Sequence, residues 1–137
     1  MDIALTVGAK FIVSPGINPR VVNYCMDRNT LMIPGVSSAS NIEQALELGV
    51  KVVKFFPAEP SGGLAMVKAL AAPYKEVEFM PTGGISKENV QEYLAYDRVA
   101  ACGGSWMVKE ELIKAGDFKT VAKLVKEAAE IAKKVHG

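Results

Sequence analysis

Lys54 has the setting in this sequence that most demands a chemical explanation. It stands late in the apolar run Val52-Val53-Lys54-Phe55-Phe56-Pro57-Ala58-Glu59, with no residue of opposite charge beside it. An ordinary lysine, with a pKa of about 10.4, is a free amine in only about one molecule in 2,500 at pH 7. Burial disfavours the ammonium form and drives that pKa down. A neutral amine in a dry pocket attacks a ketone and forms an imine. Once protonated, the imine withdraws electrons and stabilises the enamine left when a neighbouring carbon–carbon bond breaks. The residues alone leave a second reading open, in which the lysine stem lines the interior and its head reaches a carboxylate at the strand end. Lys51 falls on the opposite strand face by the period of two and is expected to be solvated.

Two glycine-rich stretches form the second constellation: Pro81-Thr82-Gly83-Gly84-Ile85 and, further on, Gly103-Gly104-Ser105-Trp106. Glycine lets backbone N–H groups approach an anion closely, and a helix N-terminus after such a turn adds a favourable partial charge. A Gly-Gly pair by itself is more often a tight turn than a ligand site. Two of them at consecutive strand exits suggest a phosphate cradle, because parallel barrels commonly bind phosphate at the loops after their last two strands. Thr82 and Ser105 add hydroxyls that suit phosphate or carboxylate oxygens, or that cap the turns they begin.

Other candidates carry less. His136, the only histidine, lies one residue from the end and reads as a solvated tail rather than a general base. Glu59 follows the Lys54 run and reads equally as a substrate contact or as a surface loop carboxylate. Tyr93, Tyr96 and Trp106 read as packing residues. Cys25 and Cys102 are far apart and belong to no Cys-x-x-Cys or Cys/His cluster, which argues against a disulfide scaffold and a structural zinc site.

The elements that must position these groups alternate as βα units do. Strands are expected at Phe11–Ser14, ended by Pro15-Gly16, and at Leu31–Ile33, ended by Pro34-Gly35, with further strands at Val50–Phe56, Phe79–Pro81 and Val99–Cys102. Helices are expected over Pro19–Asp27, with Asn18 as N-cap, and from Ser40 through Leu48, with Ser40 and Glu43 as a capping box and Gly49 as the stop. Ser86 is the expected cap of a helix over Asn89–Leu94. A last helix, Phe118–Val135, places Val121, Leu124, Val125, Ala128, Ala129 and Ala132 on one face to pack on the sheet. Apolar residues on both strand faces, as in Val50, Val52 and Val53, imply a parallel sheet covered by helices, so the class is α/β.

With 137 residues, half of them apolar, the chain is sized for a single domain with a real core. Its 16 basic and 15 acidic residues nearly cancel, and no basic run exceeds a pair, so no electrostatic argument favours nucleic acid or another polyanion. A small-molecule role follows. No stretch of about 18 apolar residues is long enough to span a membrane, no basic segment precedes the first apolar residues, and the cysteines suit reduced thiols. The expected setting is the cytoplasm.

Taken in order, Ser14-Pro15-Gly16, Lys54-Phe55-Phe56-Pro57-Ala58-Glu59, Pro81-Thr82-Gly83-Gly84-Ile85 and Gly103-Gly104-Ser105-Trp106 resemble the 2-keto-3-deoxy-6-phosphogluconate (KDPG) aldolases, a family that also includes 4-hydroxy-2-oxoglutarate aldolase activity. The resemblance runs from about residue 3 to the C-terminus. It implies a (βα)₈ TIM barrel, assembly as a homotrimer, and catalysis with no metal or organic cofactor. It implies that Lys54 is the imine lysine, Thr82 a substrate-contacting hydroxyl, Pro15 and Phe56 pocket-lining residues, and Gly83, Gly84, Gly104 and Ser105 the phosphate site. The implied reaction is reversible cleavage of the six-carbon keto-acid phosphate into pyruvate and glyceraldehyde 3-phosphate.

A full barrel needs at least about 200 residues. Aligned by its motifs, this chain begins in the helix before the family's fourth strand, so residues 1–137 are expected to form the C-terminal portion of a barrel, with about five βα units. The glutamate that shuttles protons, the arginine near the substrate carboxylate and a further threonine, which the family's first strands supply, have no counterpart here. Loss of a general base lowers proton transfer by about 100-fold to 10,000-fold, so weak or no turnover is expected of the chain alone. Five strands cannot close a barrel and leave two open edges. The expected explanation is a fragment of a longer protein; dimerisation through the edges, or a separate chain supplying the missing strands, are the alternatives. Two rival functions stand beside aldol cleavage: decarboxylation of a keto acid such as oxaloacetate, and a non-catalytic phosphate-ligand binding or assembly module.

Overall fold

The computed structural model describes residues 2–136, the His136 side chain excepted, so the reading of that histidine lies outside the described residues. In chain order the elements are α1 (Asp2–Thr6), β1 (Phe11–Val13), α2 (Pro19–Met26), β2 (Leu31–Ile33), β3 (Gly35–Val36), α3 (Ala39–Glu47), β4 (Val52–Phe55), α4 (Gly63–Ala71), β5 (Glu78–Phe79), α5 (Val90–Leu94), α6 (Glu110–Lys114) and α7 (Phe118–His136). A short 3-10 turn at Glu59–Ser61 precedes α4. The class is α/β with parallel strands, as the alternation implied.

Every strand pairing is parallel. β1 pairs with β2, β3 with β4 (Gly35 opposite Lys54, Val36 opposite Phe55), and β4 with β5 (Val52 opposite Glu78, Val53 opposite Phe79). β2 and β3 are two halves of one extended segment parted at Pro34, which has no N–H to give to a ladder. Its carbonyl still accepts the Lys54 N–H at 2.8 Å. Pro34-Gly35 therefore interrupts this strand without ending it, contrary to the expectation from sequence. The strand expected at Phe79–Pro81 is reduced to Glu78–Phe79, and that expected at Val99–Cys102 is reduced to two isolated parallel bridges, Phe79 with Val99 and Thr82 with Gly103.

Alternation and register sort the side chains onto two faces. Met32, Val36, Val53, Phe55, Phe79 and Val99 share one face and are all buried. Over them lie Val22 and Cys25 of α2, Ile42 and Ala45 of α3, Val67 and Ala71 of α4, and Val90, Tyr93 and Leu94 of α5. The opposite face carries Phe11, Val13, Leu31, Val52, Lys54 and Thr82, and here Phe11 and Leu31 remain 50% and 55% exposed. Apolar strands on both faces imply cover on both; among the described residues one face is buried throughout, and the other only in part, at Ile33 and Gly35.

Local signals explain the helix starts. The Asn18 side chain accepts the Arg20 N–H at 3.0 Å and Pro19 occupies the first turn of α2, where its missing N–H is no loss. For α3 the cap is Ser38, whose Oγ accepts the Asn41 N–H at 3.3 Å, and not the expected Ser40, which lies within the first turn. Gly49 ends that segment with φ +76°, a left-handed conformation that glycine adopts without strain. α7 packs against α5 and α6. Its buried stripe differs from the expected one: Val125 stays 45% exposed, while Ile131 and Val135 join the core.

Candidate active site

β4 places Lys54 in register with Gly35, on the open face of the sheet. Its ammonium lies 4.5 Å from the centroid of the Phe56 ring, within cation–π range. The ion pairs among the described residues are Lys51–Glu76, Lys87–Glu127 and Lys114–Glu110, so no carboxylate meets Lys54 within 4.0 Å. That removes the reading in which its head reaches a carboxylate at the strand end. Lys54 is half-buried rather than enclosed, because its face of the sheet is uncovered.

Lys54 and Phe56 form one wall of a depression of about 320 Å³; the other walls are Thr82–Ile85 and Gly103–Ser105. The structure thus gathers Lys54, Phe56, Thr82, Gly83, Gly84, Gly104 and Ser105 around one space. Pro15 is not among its walls. The Pro15 backbone instead crosses over Gly35, beside the Lys54 strand, in room left by the missing side chain.

The second wall presents uncommitted backbone N–H groups. Gly83 and Gly84 have φ of +93° and +83°, a region that disfavours side chains. Their carbonyls are turned away and occupied: Gly83 O accepts the Glu59 N–H at 3.0 Å, and Gly84 O accepts the Asn89 amide at 3.1 Å. Among the described residues the N–H groups of Gly84, Ile85, Gly104 and Ser105 donate no hydrogen bond. Successive uncommitted N–H groups of this kind make an anion-binding concavity. The Thr82 hydroxyl is buried with no hydrogen-bond partner, a condition that costs stability until something fills it. The Gly104 position is closed to any side chain by the Trp106 ring, and a Cβ on Gly103 would come within 2.6 Å of Thr82 Cγ2. Trp106 is therefore a packing residue, as expected.

Glu59 lies at the surface, as one of its two sequence readings has it, but its carboxylate is not free, and it is not among the walls of the depression. Its Oε1 accepts the Tyr93 hydroxyl, and Tyr93 is 2% exposed. Burial, and then the Glu59 carboxylate, push the Tyr93 hydroxyl pKa up. From sequence Asn89 reads only as a helix start, yet it organises the turn. Its Oδ1 accepts the Ser86 N–H at 2.8 Å while its amide holds Gly84 O. The expected capping role of Ser86 is partly reversed, since the Ser86 hydroxyl accepts only the Glu88 N–H at 3.3 Å. The three-residue spacing of Ser86 and Asn89 was the available signal.

Among the described residues no group of three or more His, Cys, Asp or Glu side chains is placed to hold a metal ion. No described helix is long and apolar enough to cross a membrane.

A single lysine beside a nest of free N–H groups is the arrangement that the motif order implied, and the family model described as "KDPG and KHG aldolase" matches residues 1–124. The chain belongs to the KDPG and KHG aldolase family. It is 56% identical over 128 residues to 2-dehydro-3-deoxy-phosphogluconate aldolase of Treponema pallidum (strain Nichols), covering 93% of this chain and 61% of that one. It is 47% identical to the aldolase of the same name from Haemophilus influenzae, covering 96% and 62%. The fold superposes with a TM-score of 0.86, at 36% identity, on KDPG aldolase of Zymomonas mobilis ZM4 with 3-phosphoglycerate, covering 93% and 59%. KDPG aldolase of Legionella pneumophila, solved with pyruvate captured as a covalent carbinolamine, matches with a TM-score of 0.83 at 39% identity, covering 88% and 58%. The chain spans about three-fifths of the length of the curated relatives it matches.

Proposed function

We propose that residues 1–137 form one domain carrying the imine-forming and phosphate-binding portion of a class I aldolase, a cytoplasmic enzyme that cleaves 2-keto-3-deoxy-6-phosphogluconate to pyruvate and glyceraldehyde 3-phosphate. 4-Hydroxy-2-oxoglutarate is a second substrate on this reading. The observation that carries it is the shared depression: an unpaired lysine on one wall and uncommitted N–H groups on the other. The Legionella relative, with pyruvate captured covalently, and the Zymomonas relative, with a phosphorylated three-carbon acid, support the two halves of that assignment.

In this reaction the Lys54 amine attacks the substrate ketone, and loss of water gives the imine. The protonated imine then takes up the electron pair of the breaking carbon–carbon bond, leaving an enamine of pyruvate and releasing the aldehyde. Phe56 packs along the lysine, and Thr82, on the same face of the sheet, offers its unpartnered hydroxyl to the keto acid. Gly83, Gly84, Gly104 and Ser105 hold the phosphate through backbone N–H groups, which suits a dianion better than neutral ligands. Pro15 flanks the Lys54 strand through its crossing of Gly35, outside the walls of the depression. No carboxylate lines the depression, so the group that moves the hydroxyl proton lies outside these residues.

The same proposal treats the five-strand parallel array as an incomplete (βα)₈ barrel. Its half-exposed face, with Phe11, Val13 and Leu31, is the barrel interior. The complete enzyme assembles as a homotrimer.

The test is intact-mass spectrometry of the chain after incubation with pyruvate and borohydride, beside Lys54→Ala. A pyruvate adduct on the parent and none on the variant is the expected result. An adduct of equal yield on both, or on neither, refutes the assignment; phosphate binding without an adduct would make the chain a binding module.

A further inference from the structure

We propose that the Glu59–Tyr93 pair is a positioning device for the anion cradle, so that phosphate recognition depends on a tyrosine hydroxyl that never touches the phosphate. The inference rests on the aldolase reading only in taking phosphate as the anion.

Tyr93 belongs to α5 and its ring is fixed in the core. Its hydroxyl is the one polar end of that anchor, and it donates to Glu59. Glu59 in turn governs the cradle in two ways. Its N–H holds Gly83 O at 3.0 Å, next to the Ala58 N–H on Thr82 O at 2.8 Å. Its side-chain stem lies against Gly84, where an added Cβ would come within 2.6 Å of Glu59 Cβ and Cγ. Gly63 completes the enclosure, since a Cβ there would sit 3.2 Å from Glu59 Oε1 and 3.3 Å from the Tyr93 hydroxyl. A carboxylate next to an anion site repels the ligand, so its charge is no asset to binding. What the geometry uses is an acceptor oxygen of fixed position, and a chain of packed groups running from α5 to the Gly83–Gly84 turn. Without the Tyr93 hydroxyl the Glu59 side chain is free to swing off Gly84, and the Gly83–Gly84 turn loses the packing that holds it. Preorganisation of this kind governs affinity without direct contact.

The experiment uses the 137-residue chain with two probes. Glycerol 3-phosphate, followed through the amide resonances of Gly84, Ile85, Gly104 and Ser105, reads the cradle; borohydride-trapped pyruvate reads Lys54. Tyr93→Phe should weaken glycerol 3-phosphate binding about tenfold, the scale of one lost hydrogen bond to a charged group, while the pyruvate adduct shifts by less than about twofold. Glu59→Gln keeps the acceptor oxygen and removes the charge, so it should bind glycerol 3-phosphate as tightly as the parent or tighter. Unchanged affinity in Tyr93→Phe overturns the proposal and leaves the aldolase reading standing. Loss of both probes together in Tyr93→Phe also overturns it, by making the pair a general folding contact, as does a tenfold loss in Glu59→Gln. A parent chain that binds neither probe removes this proposal and the aldolase reading at once.

Discussion

Gly35→Ala tests the geometry that holds the Lys54 strand and the Ser14-Pro15-Gly16 segment together. Gly35 is buried in β3, opposite Lys54. A Cβ there would collide with the Pro15 carbonyl group and come within 2.7 Å of the Gly16 nitrogen. These are backbone atoms, so no rotamer change relieves the contact; either the loop lifts or β3 shifts. Overpacking costs about 1–3 kcal/mol, and a backbone clash belongs at the upper end. The gain from replacing glycine with alanine in extended chain, roughly 0.5–1 kcal/mol, offsets part of this. The net expectation is a loss of about 2 kcal/mol. At this chain length that is on the order of 6–10 °C in Tm, out of a total stability of roughly 5–15 kcal/mol. Urea unfolding followed by circular dichroism measures it, beside Gly16→Ala, whose Cβ would meet nothing within 4 Å. The control should stay within about 0.5 kcal/mol of the parent. A Gly35→Ala variant as stable as that control would refute the crossing of Pro15 over β3.

Two further predictions follow from burial. Burial holds the Cys102 thiol up at about 12, from 9.0, so at pH 9 its thiolate fraction is about one in a thousand against about one half when unfolded. Iodoacetamide should label Cys102 about 500-fold more slowly in the folded chain than in urea at that pH, and equal rates would contradict the packing of Cys102. Because the folded pKa is raised above the unfolded one, this stabilisation is complete below pH 9 and is lost as pH rises through about 12, so stability should decline on the alkaline side. The two faces of the sheet should differ as well: Phe79→Ala, at a fully buried site, should cost about 3–5 kcal/mol, whereas Phe11→Ala, 50% exposed, should cost less than about 1 kcal/mol. Equal costs by urea unfolding would mean that the second face is covered in solution.

Much of this was legible because the signals are local. Pro15-Gly16 and Gly49 stop their elements at the expected places, and Asn18 with Pro19 starts α2, since each acts through its own dihedral or its own side chain. Lys54 stood out through the mismatch between a charged residue and an apolar run, and the structure leaves it unpaired. Ser38 and Ser40 could not be separated by pattern, because Ser38 and Asn41 repeat the spacing of Ser40 and Glu43 and only the chain's entry angle chooses between them. Cover on one sheet face could not be read from strands apolar on both. Glu59 and Tyr93 are 34 residues apart and share no local signature; their pairing exists only once α5 packs against the loop after β4.

The segments that fell short of strand are themselves informative. A parallel ladder uses the N–H of alternate residues on each side, so a strand running on from Val99 through Ser105 would have committed groups that an anion needs. Here the last ladder bond is the Gly103 N–H to Pro81 O at 3.0 Å, and beyond it Gly104 and Ser105 keep their N–H groups uncommitted among the described residues. On the neighbouring segment, Thr82 gives its N–H to Phe55 O at 3.0 Å, and the positive φ of Gly83 and Gly84 then turns the chain out of the sheet. Both segments leave the sheet just past the Thr82–Gly103 bridge. The missing strand content and the uncommitted N–H groups therefore have one cause: glycines end the ladder just past the Thr82–Gly103 bridge.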